Sequence, residues 1–589
     1  MPMEMWNVLL LTLAIFMSGC GRIWGSFNTS QPASSGPAAP TKIYRSVGPG
    51  NTSVLACGGG DGSGCSNNAG NLTINGTTTT FASAAPNDIG VGDAIVYDCN
   101  RDGSLDAGDC IAFIDSRTSS TQYSVQDKSG NAPTAYGAAN VWRIYRAYTS
   151  VANAVDATSG GTENSAICAI NATLCNFDGW TGGTNLVSAN EQWNVAMYGD
   201  AADSSDVTIS GWTTSTANYI KIYAPYLSSE VGASQRTSGV WNNAKARFEY
   251  TAGIWNPFVI ENDVWIDGLQ FEDTATTGTS SSAVLVSALT PLTVKISNCL
   301  IDLNLSGSAT GWAGLHLGIN GTVSGSTEYA WNNIVYNGLT TGTTGILLEV
   351  NGTGYFSNNT VDGPPIGFQS DAFTGSTLVI AKNNIAQGCA SSCYATNNGG
   401  TYSPASTNNI ASDTTAPGSN ALNSKTVTFV NPSAGDYRLS PSDAIALNAG
   451  VDLSSDPNLA FNTDIDNIPR PQGPAWDIGA SELLSSSSNA TELLALTFPT
   501  VTLTSFSAQM TFQGDADANN TGTIYYCDAT VTPGCDPFVF GISAPMTRAG
   551  GQFTYSATGL TSGDTYNVEV IGSDPDGIFT STITGSVVL

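Results

Sequence analysis

Asn332-Asn333-Ile334-Val335-Tyr336-Asn337-Gly338 is followed by Asn358-Asn359-Thr360-Val361-Asp362-Gly363 and then by Asn383-Asn384-Ile385-Ala386-Gln387-Gly388. Looser copies stand upstream at Asp267-Gly268-Leu269-Gln270-Phe271 and Asn298-Cys299-Leu300-Ile301-Asp302. From Gly268 the steps to Cys299, Asn333, Asn359 and Asn384 are 31, 34, 26 and 25 residues. A phrase recurring at this interval, with β-branched residues beside turn residues, marks one coil of a solenoid. Each coil leaves apolar edges that only the next coil buries, so the coils stack. Asparagines at coil corners can stack and bond to neighbouring turns, which makes them structural and poor candidates for an active site.

The 589 residues leave room for two to four domains. Only 11% are charged, they sum to −29, and His316 is the single histidine. So low a basic count argues against nucleic acid and against electrostatic docking on anionic lipid. With 41% hydrophobic residues and abundant Gly, Ser, Thr and Asn, the chain reads as an all-β exported protein rather than a disordered one. Triplets such as Asn171-Ala172-Thr173 and Asn351-Gly352-Thr353 follow from that composition and are not read as glycosylation sites.

Val8–Met17 is an apolar run too short to span a bilayer, and it ends in Ser18-Gly19-Cys20. It resembles a bacterial lipoprotein signal, which implies removal of residues 1–19 and diacylation of Cys20. Met17 stands where Leu is usual and Met1–Asn7 holds no Lys or Arg, so an ordinary cleaved secretory peptide is the alternative. Gly21, rather than Asp, follows the cysteine, and the resemblance then points to the outer membrane or cell surface. Lipid chains contribute ~0.8 kcal/mol per buried methylene, so contact with membrane is expected through the anchor only. The remaining cysteines fall as Cys57/Cys65, Cys99/Cys110, Cys168/Cys175, Cys389/Cys393 and Cys527/Cys535, leaving Cys299 alone. In an exported chain, five close pairs suggest five local disulfides; zinc is the rival, but histidine partners are lacking. Cys299 matches the position of Asn333 and is expected to be a buried small residue.

Residues 20–40 read as a Ser/Pro/Ala/Gly tether, and 41–150 as a β-rich unit of short alternating runs. Tyr145–Val155 is the best helix candidate and could cover the first coil, whose open end would otherwise expose unpaired backbone. The solenoid is assigned to 151–482. Its end carries Phe429-Val430-Asn431-Pro432, Asp436-Tyr437-Arg438-Leu439, Asp464-Ile465-Asp466, Arg470-Pro471 and Asp477-Ile478-Gly479-Ala480-Ser481-Glu482. Together with the Asn-rich coils this resembles bacterial right-handed parallel β-helix surface proteins, an architecture that hosts lyases, hydrolases, adhesins and phage spikes. A Ser-rich linker, 483–493, precedes alternating strands over 494–589. There Leu560-Thr561-Ser562-Gly563-Asp564-Thr565-Tyr566 resembles the tyrosine corner of fibronectin type III domains, although the early Trp of that family is missing.

One metal motif stands out. In Asp98-Cys99-Asn100-Arg101-Asp102-Gly103-Ser104-Leu105-Asp106-Ala107-Gly108-Asp109, the residues Asp98, Asn100, Asp102, Ser104, Asp106 and Asp109 have the spacing of a calcium loop. Close carboxylates repel unless a cation sits among them, Gly103 permits the sharp turn, and Asp109 replaces the usual Glu, as in dockerin-like loops. The alternative is an acidic hairpin held by Cys99 and Cys110, and the ion would be structural. Catalytic signals are weak. Lys221, Arg236, Lys245, Arg247, Lys295 and Lys382 stand outside any dense acidic cluster, and no Asp-Asp pair occurs. Asp464, Asp466 and Asp477 read as partners of Arg470 in closing the solenoid, and His316 as a satisfied strand residue. The leading expectation is therefore a structural, adhesive or glycan-binding surface protein, because coil faces repeat side chains at ~4.8 Å and can track an extended polymer. Trp180, Trp193, Trp212, Trp241, Trp255, Trp265, Trp312 and Trp331 are the candidate sugar-stacking residues. The runner-up is a polysaccharide lyase or glycoside hydrolase working in a groove of the helix. Self-assembly through the terminal sandwich is a third possibility.

Overall fold

The computed structural model describes residues 38–589 apart from 61–64, 158–161, 179–184, 251–255, 275–278, 288–289, 306–309, 319–323, 339–341, 374, 485–490, 516–519 and 575–581. Three parallel sheets dominate it. Sheet one joins Thr41–Val47, Glu191–Met197, Ile220–Tyr223, Val264–Asp267, Thr293–Ser297, Ser324–Trp331, Asn351–Ser357, Leu378–Lys382 and Thr401–Tyr402, in that order. Sheet two runs from Ala202–Asp203 to Leu422–Asn423 through nine strands, and sheet three from Val207–Ile209 to Ser392–Asn397 through seven. Successive segments visit sheets one, two and three and then return: Val264–Asp267, Gln270–Asp273, Thr279–Val286, then Thr293–Ser297. This is an all-β chain whose stacked parallel sheets are consistent with a β-helix.

The alternation of side chains decides what each rung buries. Ile220 and Ile222, Val264 and Ile266, Val294 and Ile296, and Val379 and Ala381 all face one continuous apolar core. The recurring Asn phrase forms the corner between sheets one and two. Its first member, Asn298, Asn332, Asn358 or Asn383, takes the left-handed conformation with φ of 55°, 53°, 52° and 56°. Asparagine tolerates that region better than other side chains with a Cβ. Its second member turns inward and builds a ladder: the Nδ2 groups of Asn333, Asn359 and Asn384 donate to the Oδ1 of the next rung's asparagine at 3.0 Å each. Those oxygens also accept the backbone N–H of the preceding rung, so the amide groups inside the corner are paired. Cys299 is the head of this ladder. It is buried and free, and its N–H donates to Asn333 Oδ1 at 3.0 Å.

Thr41–Val47 is the first rung of sheet one, and the chain builds an eight-stranded antiparallel sheet before returning to the second rung at Glu191. One face of this inserted sheet has its own core, including Ile95, Tyr97, Ala112 and Ile114. The other face contributes Ala94, Val96 and Phe113 to the core beneath the parallel sheets. The short helix Val151–Val155 lies in the same cluster, and its Ala154 and Val155 carbonyls accept the indole N–H groups of Trp193 and Trp212. Of Tyr145–Val155, expected to be helical, only Val151–Val155 forms a helix; Tyr145 ends the strand Trp142–Tyr145, and 146–150 connect the two.

Residues 427–482, read in sequence as the last coils, add no rung to the three sheets. Val427, Phe429, Tyr437, Leu439, Ile465 and Ile478 instead cover the outward apolar residues Leu300, Ile334, Tyr336, Ile385 and Ile410 of sheet two. The corner asparagines fasten this returning segment: Asn332 Nδ2 donates to Thr463 O, Asn358 Nδ2 to Asp477 O and Gly479 O, and Asn383 Nδ2 to Val451 O. Two four-stranded antiparallel sheets follow, from Thr491–Thr502 to Thr582–Val588. They share a core that includes Phe506, Met510, Ile524, Phe553, Val568 and Val570, which suggests a sandwich.

Candidate functional site

The outward residues of sheet one form columns because the rungs are in register. One column reads Tyr44, Asn194, Lys221, Trp265, Lys295, Tyr329, Tyr355 and Ile380. Lys221, Trp265, Lys295, Tyr329 and Tyr355 are half-buried, so each shows solvent part of an amphipathic side chain. Tyr329 and Tyr355 stack with centroids 5.1 Å apart, while Trp265 lies 6.3 Å from Tyr219 and 5.9 Å from Trp331. The Trp265 indole N–H donates to Ser297 Oγ at 2.8 Å, which fixes the ring.

The two lysines of the column differ in their partners. Lys221 Nζ sits 4.1 Å from the Trp265 ring centroid and 3.2 Å from Asp267. Asp267 also receives Arg236 at 2.7 Å and Asn298 Nδ2 at 2.8 Å. Burial pushes the Asp267 carboxyl up, but Arg236 and Lys221 outweigh it and hold the group ionised well below the usual range. Lys295 has no carboxylate within ion-pair distance among the described residues. Its ammonium lies 5.7 Å from the Trp265 ring centroid, 5.8 Å from that of Tyr219 and 5.9 Å from that of Tyr329. Burial lowers its pKa from the ordinary lysine value.

The other tryptophans divide plainly. Trp193, Trp212 and Trp331 are buried, Trp241 and Trp312 are half-buried away from the column, and Trp180 and Trp255 lie outside the described residues. Tyr219, Tyr329 and Tyr355 do not stand out in the sequence, although a signal exists for Tyr329 and Tyr355. Trp265, Lys295, Tyr329, Tyr355 and Ile380 each stand three residues before the left-handed corner residue Gly268, Asn298, Asn332, Asn358 or Asn383. Among the other bases, Lys382 pairs with Asp456, Arg247 with Glu249, and Lys245 donates to Ser234 O. His316 is buried, with Nε2 2.9 Å from Glu349 Oε2 and Nδ1 3.5 Å from Ser282 Oγ. Arg470 pairs with Glu482 at 2.9 Å and donates to the carbonyls of Asp477, Gly479 and Ala480. Asp464 and Asp477 spend their oxygens on backbone N–H groups of the returning segment.

The acidic loop joins the strands Ala94–Tyr97 and Cys110–Arg117. Asp98 accepts the N–H groups of Asp102 and Gly103, and Ser104 Oγ donates to Asp102 and Asp106 at 2.9 and 2.8 Å. Gly103 takes φ 93°, and Leu105 is anchored on the apolar core. Asp109 Oδ2 accepts the Asp106 N–H, whereas its Oδ1 is buried without a partner. Burial and the neighbouring Asp98, Asp106 and Asp102 push the Asp109 carboxyl up to about 6. Among the described residues, no group of three or more His, Cys, Asp or Glu side chains is drawn together closely enough to hold a metal ion. The five disulfides join Cys57–Cys65, Cys99–Cys110, Cys168–Cys175, Cys389–Cys393 and Cys527–Cys535. Cys20 lies outside the described residues. No family model, curated protein or solved structure matches the chain.

Proposed function

We propose that this chain is an exported, lipid-anchored surface protein whose sheet-one column binds an extended glycan without turning it over. The column itself carries the reading: five consecutive rungs present Lys221, Trp265, Lys295, Tyr329 and Tyr355 half-exposed and in register. Aromatic faces and edges offer apolar area to sugar C–H groups, while lysine and tyrosine tips offer hydrogen bonds to hydroxyls. The winding is taken as right-handed, since ~98% of parallel crossovers are. The terminal unit is taken as fibronectin type III-like, on the support of Tyr566 OH accepting the Thr561 N–H at 3.1 Å. Cys20 is the proposed lipid site, and the cell surface or outer membrane the proposed location.

Titration calorimetry of the full chain against a glycan panel tests the binding. Trp265→Ala is expected to weaken binding about tenfold, or 1.4 kcal/mol, with the melting temperature little changed. Equal affinity in the variant, or release of unsaturated products or reducing ends, contradicts the proposal. A structural calcium ion is proposed for the loop on its spacing and on the buried, unpartnered Asp109 Oδ1, although the carboxylates are not gathered into a metal-holding group in this structure. Calcium at a hundred times its Kd would stabilise the fold by about 2.7 kcal/mol. No calcium-dependent shift in melting, or an equal shift in Asp102→Ala, refutes it.

A further inference from the structure

Lys295 is an uncommon group in this molecule: a half-buried ammonium, without an ion-pair partner among the described residues, in a chain of formal charge −29. Three aromatic rings surround it, and burial already disfavours its charge. The residues beside it in register are Trp265 on one rung and Tyr329 on the other. Lys221 stands two rungs away with Trp265 between them. Strand spacing puts two rungs at roughly 9–10 Å, close to the length of one extended disaccharide.

Resting on the proposed glycan reading, we infer that the ligand is an acidic glycan with one anionic group per disaccharide, and that its carboxylate or sulfate sits on Lys295. The neutral sugar of each pair then lies against the ring of Trp265, between the two lysines, or against Tyr329, beyond Lys295. Lys221 serves the neighbouring repeat more weakly, because Asp267 already neutralises part of it. An anion at Lys295 restores the field that burial removed, and the surrounding rings keep water from screening it. The acidic remainder of the surface repels a polyanion that is out of register, so selectivity arises from the column alone.

The test compares three probes on the full chain: hyaluronan oligosaccharides (an acid on every second ring), mannuronate oligosaccharides (an acid on every ring) and chitin oligosaccharides (neutral). Hyaluronan oligosaccharides are expected to bind at least tenfold more tightly than the neutral set, and to lose most of that advantage in 0.5 M salt. Lys295→Gln should remove the advantage, so that hyaluronan oligosaccharides then bind no more tightly than chitin oligosaccharides do. Lys295→Arg should restore it, and Lys425→Gln, an exposed lysine elsewhere, should have no effect. Equal affinity for acidic and neutral probes, or an unaffected Lys295→Gln, overturns the inference while sparing the glycan reading. Mannuronate binding as tightly as hyaluronan overturns the spacing. Binding to none of the three overturns both.

Discussion

Glu328 shares an inward column with Val264, Val294, Gly354 and Val379, and it is buried with neither carboxylate oxygen partnered. Burial, with a smaller contribution from Asp263, holds its carboxyl well above the ordinary value of 4.5. It is therefore protonated in the fold over a pH range where the unfolded chain ionises it. Its contribution is favourable below pH 4.5 and is lost as pH rises through the raised folded value. Asp93, pushed up to about 6 by burial, and Asp477, pushed up to about 7 by burial and Glu482, act with the same sign. Glu328→Gln is expected to gain more than ~1 kcal/mol at pH 8 over wild type and nothing at pH 4.5. Denaturant titrations at the two pH values check this, and parallel shifts at both would contradict it. Asn359→Ala should cost about 2–4 kcal/mol, because it strands the Asn333 N–H and Nδ2 inside the corner. A loss within ~0.5 kcal/mol in the same measurement would show that the ladder does little.

At the scale of elements, the corner phrase has two jobs that the sequence presents as one. Its inward asparagine ties rung to rung, and its left-handed asparagine reaches out to hold residues 446–482. The stacking was legible, because its spacing repeats. The returning segment was not, because Phe429, Tyr437 and Ile465 have the composition of further strands, and only the outward Leu300, Ile334 and Ile385 reveal what they cover. Arg470 is the centre of that segment, buried against Glu482. Arg470→Met leaves the Glu482 carboxylate buried with its cation gone, which is expected to cost about 3–5 kcal/mol locally. Limited proteolysis should then cut within 446–482 while the parallel sheets stay resistant, and an unchanged digest would refute the role. The inserted sheet was likewise read as a separate unit, since nothing local in Thr41–Val47 announces that it pairs with Glu191–Met197, 150 residues on.

At the scale of the molecule, the proposed function depends on register rather than on any motif. Lys221, Trp265, Lys295, Tyr329 and Tyr355 do not read as one set in linear order, because the rungs are unequal in length and no two neighbours in the column are close in sequence. The sequence pointed to tryptophans as a class; folding buried Trp193, Trp212 and Trp331 and left Trp265 half-exposed in line with Tyr329 and Tyr355, whose one sequence mark is their place three residues before a corner asparagine. Hydroxyl-radical footprinting of the full chain with and without a bound glycan tests this arrangement residue by residue. The column predicts that Trp265, Tyr329 and Tyr355 are protected together while the half-buried Trp241 and Trp312 oxidise as before. Protection of Trp241 or Trp312, with Trp265, Tyr329 and Tyr355 unchanged, would contradict it.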